Sequence, residues 1–94
     1  DKVEFNVKTI EKGHHKTKYK DVPMIKCPFD FFIYHMIIWE IKPDLIIEIG
    51  TNVGGSAYYF SDILEQIGHG EIHTIDIENK VHPLVKGKKN IKFH

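Results

Sequence analysis

Apolar and polar residues alternate at the start of the chain. Val3, Phe5 and Val7 are interleaved with Lys2, Glu4, Asn6 and Lys8. A period of two suits a strand or an extended arm across residues 1–12. Residues 13–27 lose the period and are rich in lysine and histidine, which predicts a loop reaching over the rest of the fold. From Pro28 the apolar positions become dense. Proline is tolerated in a first helical turn, and Asp30 complements the helix dipole there. Phe31, Tyr34, Ile38 and Ile41, with Phe32, Met36 and Trp39 beside them, predict a helix whose broad apolar surface is core. Pro43 ends it, because proline cannot donate and restricts Lys42 before it.

Two further segments complete a repeating order. Leu45–Ile49 is short, apolar and rich in β-branched residues, as in a buried parallel strand. Ser56–Ile67 carries Tyr59, Phe60, Ile63, Leu64 and Ile67 on one helical face, with Gly68 as a left-handed cap. Ile72–Ile77 alternates as a second strand, and Ile91-Lys92-Phe93 opens a third. Residues 78–90 are polar and hold Pro83 and Gly87, with room for a short helix. A β-α-β order implies a parallel sheet with right-handed crossovers. The fold class is α/β, a partial Rossmann-like parallel sheet in three layers, cut off after about the third strand. Ninety-four residues allow one domain at most. The expected organisation is an arm or loop over 1–27, then the N-terminal part of a larger α/β domain over 28–94.

The junction after the first strand carries the chemistry. Leu45 to Ser56 reads as apolar strand, acidic Glu48, Gly50, then Gly54-Gly55-Ser56 opening a helix. Glycines let the backbone turn sharply and let a ligand approach it. The free N–H groups at the helix start favour an anionic group. Downstream, Asp76 closes the next strand. In dinucleotide folds an acid roughly 20 residues past the glycine turn holds ribose hydroxyls. A carboxylate accepts two hydrogen bonds and so suits a vicinal diol. The alternative is a plain β-α-β unit in which Asp76 caps a turn.

Three ligand classes compete for this turn. A phosphate-cradling P-loop needs a lysine after its last glycine, and Ser56 stands there, which argues against ATP or GTP hydrolysis. A dinucleotide fingerprint needs a central glycine; Asn52 occupies that place and would crowd a pyrophosphate, which leaves NAD a second choice. The third pattern, E-x-G-x-x-x-G-G-S, is that of S-adenosylmethionine sites. This sulfonium ligand has no phosphate. Its carboxylate could meet loop N–H groups and Ser56, and its ammonium the loop carbonyls or an acid near Glu48.

Residues 22–35, 42–51, 54–57 and 73–77 together resemble the cephalosporin hydroxylase / rhamnosyl O-methyltransferase family. These are class I, S-adenosylmethionine-dependent methyltransferase-like proteins, and the likeness runs from about Gly13 onward. The turn and Asp76 are also similar to those of caffeoyl-CoA and catechol O-methyltransferases. The resemblance implies an O-methyltransferase acting on the hydroxyl of a small molecule or glycan. It implies that Gly50, Thr51, Asn52, Gly54, Gly55 and Ser56 line the methionine end, with Glu48 beside them and Asp76 on the ribose. Asn52-Val53 departs from the usual family residues. The family's aspartate-rich motif, which binds a divalent metal such as Mg, is expected beyond His94. Catalytic residues are therefore not assigned within the chain. A non-catalytic α/β module and an NAD-binding unit are the alternatives.

Composition narrows the partners. Hydrophobic residues make up 41% and charged residues 28%, as in globular domains, and 13 basic residues balance 13 acidic ones. Neutral charge points away from nucleic acid and membrane surfaces. Lys16, Lys18 and Lys20, and Lys86, Lys88 and Lys89, read as solvated clusters. The apolar run 29–41 is too short to span a bilayer and holds Asp30, His35 and Glu40. Cys27, the single cysteine, excludes an internal disulfide and is expected to be a buried or semi-buried structural thiol rather than a nucleophile. A cytoplasmic setting is the expectation, with room for a homo-oligomer. His14 and His15 are adjacent and diverge, and Gly70 breaks the helix that would pair His69 with His73, so no histidine metal site is expected. Tyr19, His14 and His15 could touch substrate or simply lie on an exposed loop.

Overall fold

The computed structural model describes residues 17–24 and 28–94. The alternating segment 1–12, His14, His15 and Cys27 lie outside the described residues. The chain begins with a hairpin, β1 (Lys18–Tyr19) and β2 (Val22–Pro23), followed by α1 (Pro28–Ile41) and β3 (Leu45–Ile49). Then come α2 (Gly55–Ile67), β4 (Glu71–Ile75), α3 (Pro83–Lys86) and β5 (Ile91–Phe93). The last three strands form one parallel sheet in the order β3-β4-β5. This is the α/β, Rossmann-like arrangement that the alternating segments predict.

Register decides which side chains share a face. Ile46 stands opposite Ile72, Glu48 opposite Thr74, and Ile72 opposite Ile91. With a period of two, these residues line one face. Phe60, Ile63 and Leu64 of α2 pack into the same core as Ile72 and Ile91. Gly68 caps α2 in the left-handed conformation at φ 104°, its N–H donating to the Leu64 carbonyl. The opposite face is bare: Ile47 is 64% and Ile49 86% exposed. The expectation of a strand buried on both faces is thus corrected for β3. Such burial needs helices on both sides, and the described residues supply two of the three layers.

The prediction for α1 is corrected in the same way. Phe31 and Ile38 are buried, whereas Phe32, Met36, Trp39 and Ile41 are exposed. A helix that is apolar all round has no inner face of its own. The buried stripe is chosen by what it meets: Phe31 lies edge-on to Tyr59 at 5.4 Å, and Tyr34 edge-on to Phe60 at 5.8 Å.

Three boundaries also move. Residues 18–23, predicted as loop, form a two-residue hairpin in which Tyr19 pairs with Val22. Lys20 and Asp21 both have positive φ, 48° and 71°, the signature of a type I′ turn. The usual Asn-Gly signal is missing, so the period alone cannot find it. Val22 and Met24 carry this hairpin into the core. β4 ends at Ile75, two residues short of the predicted strand, and leaves Ile77 fully exposed. α2 begins at Gly55 rather than Ser56, with Gly54 as its N-cap.

Candidate functional site

Glu48 sits under the turn and is 8% exposed. One carboxylate oxygen accepts from the Ser56 hydroxyl at 2.6 Å and the other from the Thr74 hydroxyl at 2.8 Å. Thr51 Oγ1 lies 2.7 Å from Thr74 Oγ1. Thr74 has one hydroxyl hydrogen and gives it to Glu48, so Thr51 is the donor in that pair. Glu48 therefore ties β3 to β4 and to the first turn of α2. The Ser56 hydrogen is turned inward to Glu48.

Above this strut the backbone makes a tight arch. The Gly50 N–H donates to the Ile75 carbonyl at 2.7 Å, and the Gly54 N–H to the Thr51 carbonyl at 2.9 Å. Gly50 has φ +93°, and a Cβ built there meets nothing within 4 Å, so this position faces open space. Gly54, at φ +96°, has no such room: a Cβ would come within 2.9 Å of the Val85 side chain. A Cβ on Gly55 would lie 2.3 Å from the Pro23 carbonyl oxygen. Glycine is thus required at Gly54 for both conformation and packing, and at Gly55 for packing alone.

Asp76 stands just past the end of β4, against the arch. Its Oδ2 accepts the Asn52 N–H at 2.8 Å and its Oδ1 accepts the Glu78 N–H at 3.1 Å. These N–H groups, Asn52 first, hold the carboxyl below the usual carboxylate range. Two hollows share Thr51 in their linings. The first, about 70 Å³, lies between Pro23, Met24 and Phe31 on one side and Gly50, Thr51, Asn52 and Ser56 on the other. The second, about 280 Å³, is lined by Thr51, Asp76, Glu78, Val81, Phe93 and His94 among others.

The structure brings Gly50, Thr51, Asn52, Gly55 and Ser56 together around the first hollow, and Thr51 and Asp76 around the second. Glu48 and Gly54 lie beneath them as supports. Sequence reasoning missed Pro23, Met24, Phe31, Thr74, Val81, Phe93 and His94. Thr74 carried a readable signal, being the inward position of an alternating strand two residues before Asp76. The others depend on tertiary packing.

The remaining candidates go elsewhere. Tyr19 donates to Asp62 and lies edge-on to Tyr58 and Tyr59, at 5.4 and 5.0 Å. His69 pairs with Asp44 at 2.9 Å, and His73 stacks on His94 at 5.1 Å. Among the described residues no three His, Cys, Asp or Glu side chains converge on a metal site. No helix among them is long and apolar enough to cross a membrane.

The family model for rhamnosyl O-methyltransferase/CmcI matches residues 11–92. The chain belongs to this family. The rhamnosyl O-methyltransferase of Mycobacterium bovis (strain BCG / Pasteur 1173P2) is 36% identical over 80 residues, covering 83% of this chain and 33% of that protein. The protein of the same name from Mycobacterium leprae is 32% identical over 65 residues, covering 68% of this chain and 28% of its own length. The chain thus spans about a third of the length of the curated relatives it matches. Among solved structures, CmcI described with Mg and SAM superposes with a TM-score of 0.79 at 27% identity, over 85% of this chain and 35% of that one. CmcI described with SAH gives a TM-score of 0.80 at 21% identity, over all of this chain and 50% of that one, a likeness of fold. The family is the one the sequence resembles.

Proposed function

We propose that this chain forms the cofactor-binding part of an S-adenosylmethionine-dependent O-methyltransferase acting on a hydroxylated small molecule or glycan. The observation that carries the reading is the 2.8 Å bond from the Asn52 N–H to Asp76. It brings the acid at the tip of one strand against the glycine turn of its neighbour, and the two hollows, which share Thr51, are read together as one trough. Two observations support this ligand in the trough: the open space over Gly50 and the anchored Asp76 carboxylate at the rim.

The two hollows divide the work. The N–H groups of the first turn of α2, rather than those of Gly50, Asn52 and Gly54 that the arch already uses, and the wall of Pro23 and Met24 would hold the methionine end. Asp76 retains lone pairs for the ribose hydroxyls. Val81 and Phe93 offer apolar surface for the base. When bound, S-adenosylmethionine would supply a sulfonium methyl for transfer to a substrate hydroxyl oxygen, the S–C bond breaking as the O–C bond forms, with release of S-adenosylhomocysteine and the hydroxyl proton. The chain's own part is positioning, and near-attack geometry contributes about 7–11 kcal/mol in such reactions. Among the described residues no three His, Cys, Asp or Glu side chains converge where they would hold Mg. The relatives named for rhamnosyl O-methylation support a glycan acceptor.

Calorimetric titration separates the readings. S-adenosylmethionine should bind in the micromolar range, and Asp76→Ala should abolish that binding. Preference for NAD would point to a dinucleotide unit instead. A folded chain that binds neither would count as a non-catalytic module.

A further inference from the structure

We infer that Asp62, outside the trough, is a positioning residue for it: Asp62 latches the β1–β2 hairpin onto α2 and thereby sets the wall that closes the first hollow. The inference deepens the cofactor reading above and rests on it for the identity of the probe.

Asp62 lines neither hollow of the trough. Its side chain is 10% exposed, and three donors converge on it: Lys20 Nζ at 2.7 Å, the Tyr19 hydroxyl, and Lys88 Nζ at 2.8 Å. Two of the three come from the hairpin. That hairpin has two residues per strand, and its turn places Lys20 and Asp21 at positive φ. A ladder this short is not stable alone, and a strained turn persists only where its surroundings over-determine it. The latch supplies that constraint through Lys20 itself, a turn residue. At its other end the hairpin becomes the wall. Pro23 and Met24 line the first hollow, and the Pro23 carbonyl rests so close to Gly55 that no Cβ fits between them. The Asp62 contacts at Tyr19 and Lys20 are thus joined to Pro23 and Met24 at the site through the hairpin itself.

A purely structural Asp62 makes a different prediction, because its two lysines belong to different parts of the fold. Lys20 is on the hairpin. Lys88 lies between α3 and β5 and also pairs with Glu65. The test measures S-adenosylhomocysteine affinity by calorimetry and Met24 amide hydrogen exchange by NMR, in the full chain and in Asp62→Asn, Lys20→Met, Lys88→Met and Gly55→Ala. The Met24 N–H, which bonds the Thr17 carbonyl at 2.8 Å, reports hairpin closure without any ligand. Asp62→Asn and Lys20→Met should speed Met24 exchange and weaken S-adenosylhomocysteine about tenfold, a change of about 1.4 kcal/mol. Lys88→Met should leave both near the native values even where it lowers the melting temperature. Gly55→Ala should weaken binding by displacing Pro23 while the latch stays intact. Should Asp62→Asn not fold, Lys20→Met carries the test, since Lys20 is half-exposed. Unchanged Met24 exchange in Lys20→Met, or equal loss of affinity in Lys20→Met and Lys88→Met, overturns the inference. If the native chain binds no S-adenosylhomocysteine, the cofactor reading fails, while the latch stands or falls on Met24 exchange.

Discussion

Glu48 carries its carboxylate into the interior with two hydroxyls and, among the described residues, no ion pair. The unpaired N–H groups at the start of α2 favour a negative group there. Replacing it by Gln keeps the shape but removes two charge-assisted bonds. Glu48→Gln should lower stability by about 1–3 kcal/mol in urea unfolding. Asp76 works at the rim, and its sign is opposite to that of a buried, unpaired acid. The Asn52 and Glu78 N–H groups favour its ionised form, so its folded pKa lies below the unfolded one. Its contribution is therefore complete above the unfolded pKa and is lost as pH falls through the folded value. The Asn52 amide resonance should hold steady at neutral pH and move only in acid, below the usual carboxylate range, and Asp76→Asn should remove that step. Asp76 and Gly50 were legible in the sequence because few residue types meet their demands. Met24 and Phe93 were not, because nothing local tells a trough-lining apolar residue from a core one.

At the scale of elements, legibility follows period. α2, β3, β4 and β5 were readable because apolar spacing and glycine punctuation agree in each. α1 was readable as a helix but not in orientation, since its apolar residues surround it. Phe31→Ala should cost about 3–5 kcal/mol, the range for a buried aromatic. Its neighbour Phe32, 67% exposed, should cost within about 0.5 kcal/mol on the same change. Chemical denaturation of the two variants checks the assignment of faces. The hairpin was illegible for another reason. Its turn runs through Lys20-Asp21, and its partners are Asp62, some forty residues away in sequence, and the core that takes up Val22 and Met24.

For the whole molecule, most of the exposed apolar residues lie on two elements, α1 and β3. Contiguous apolar surface of this kind drives association. The chain should therefore show concentration-dependent self-association in sedimentation velocity, and the pair Phe32→Glu with Met36→Lys should reduce it without lowering the melting temperature. The account as a whole turns on one trough, bounded by the Gly50–Gly55 arch and Asp76. Its most direct test is a proton–nitrogen NMR titration of the folded chain with S-adenosylhomocysteine. The account predicts that the largest shifts fall on the amides of Gly50, Thr51, Asn52, Gly54, Asp76 and Glu78. Shifts centred elsewhere, or none from a folded chain, would contradict it.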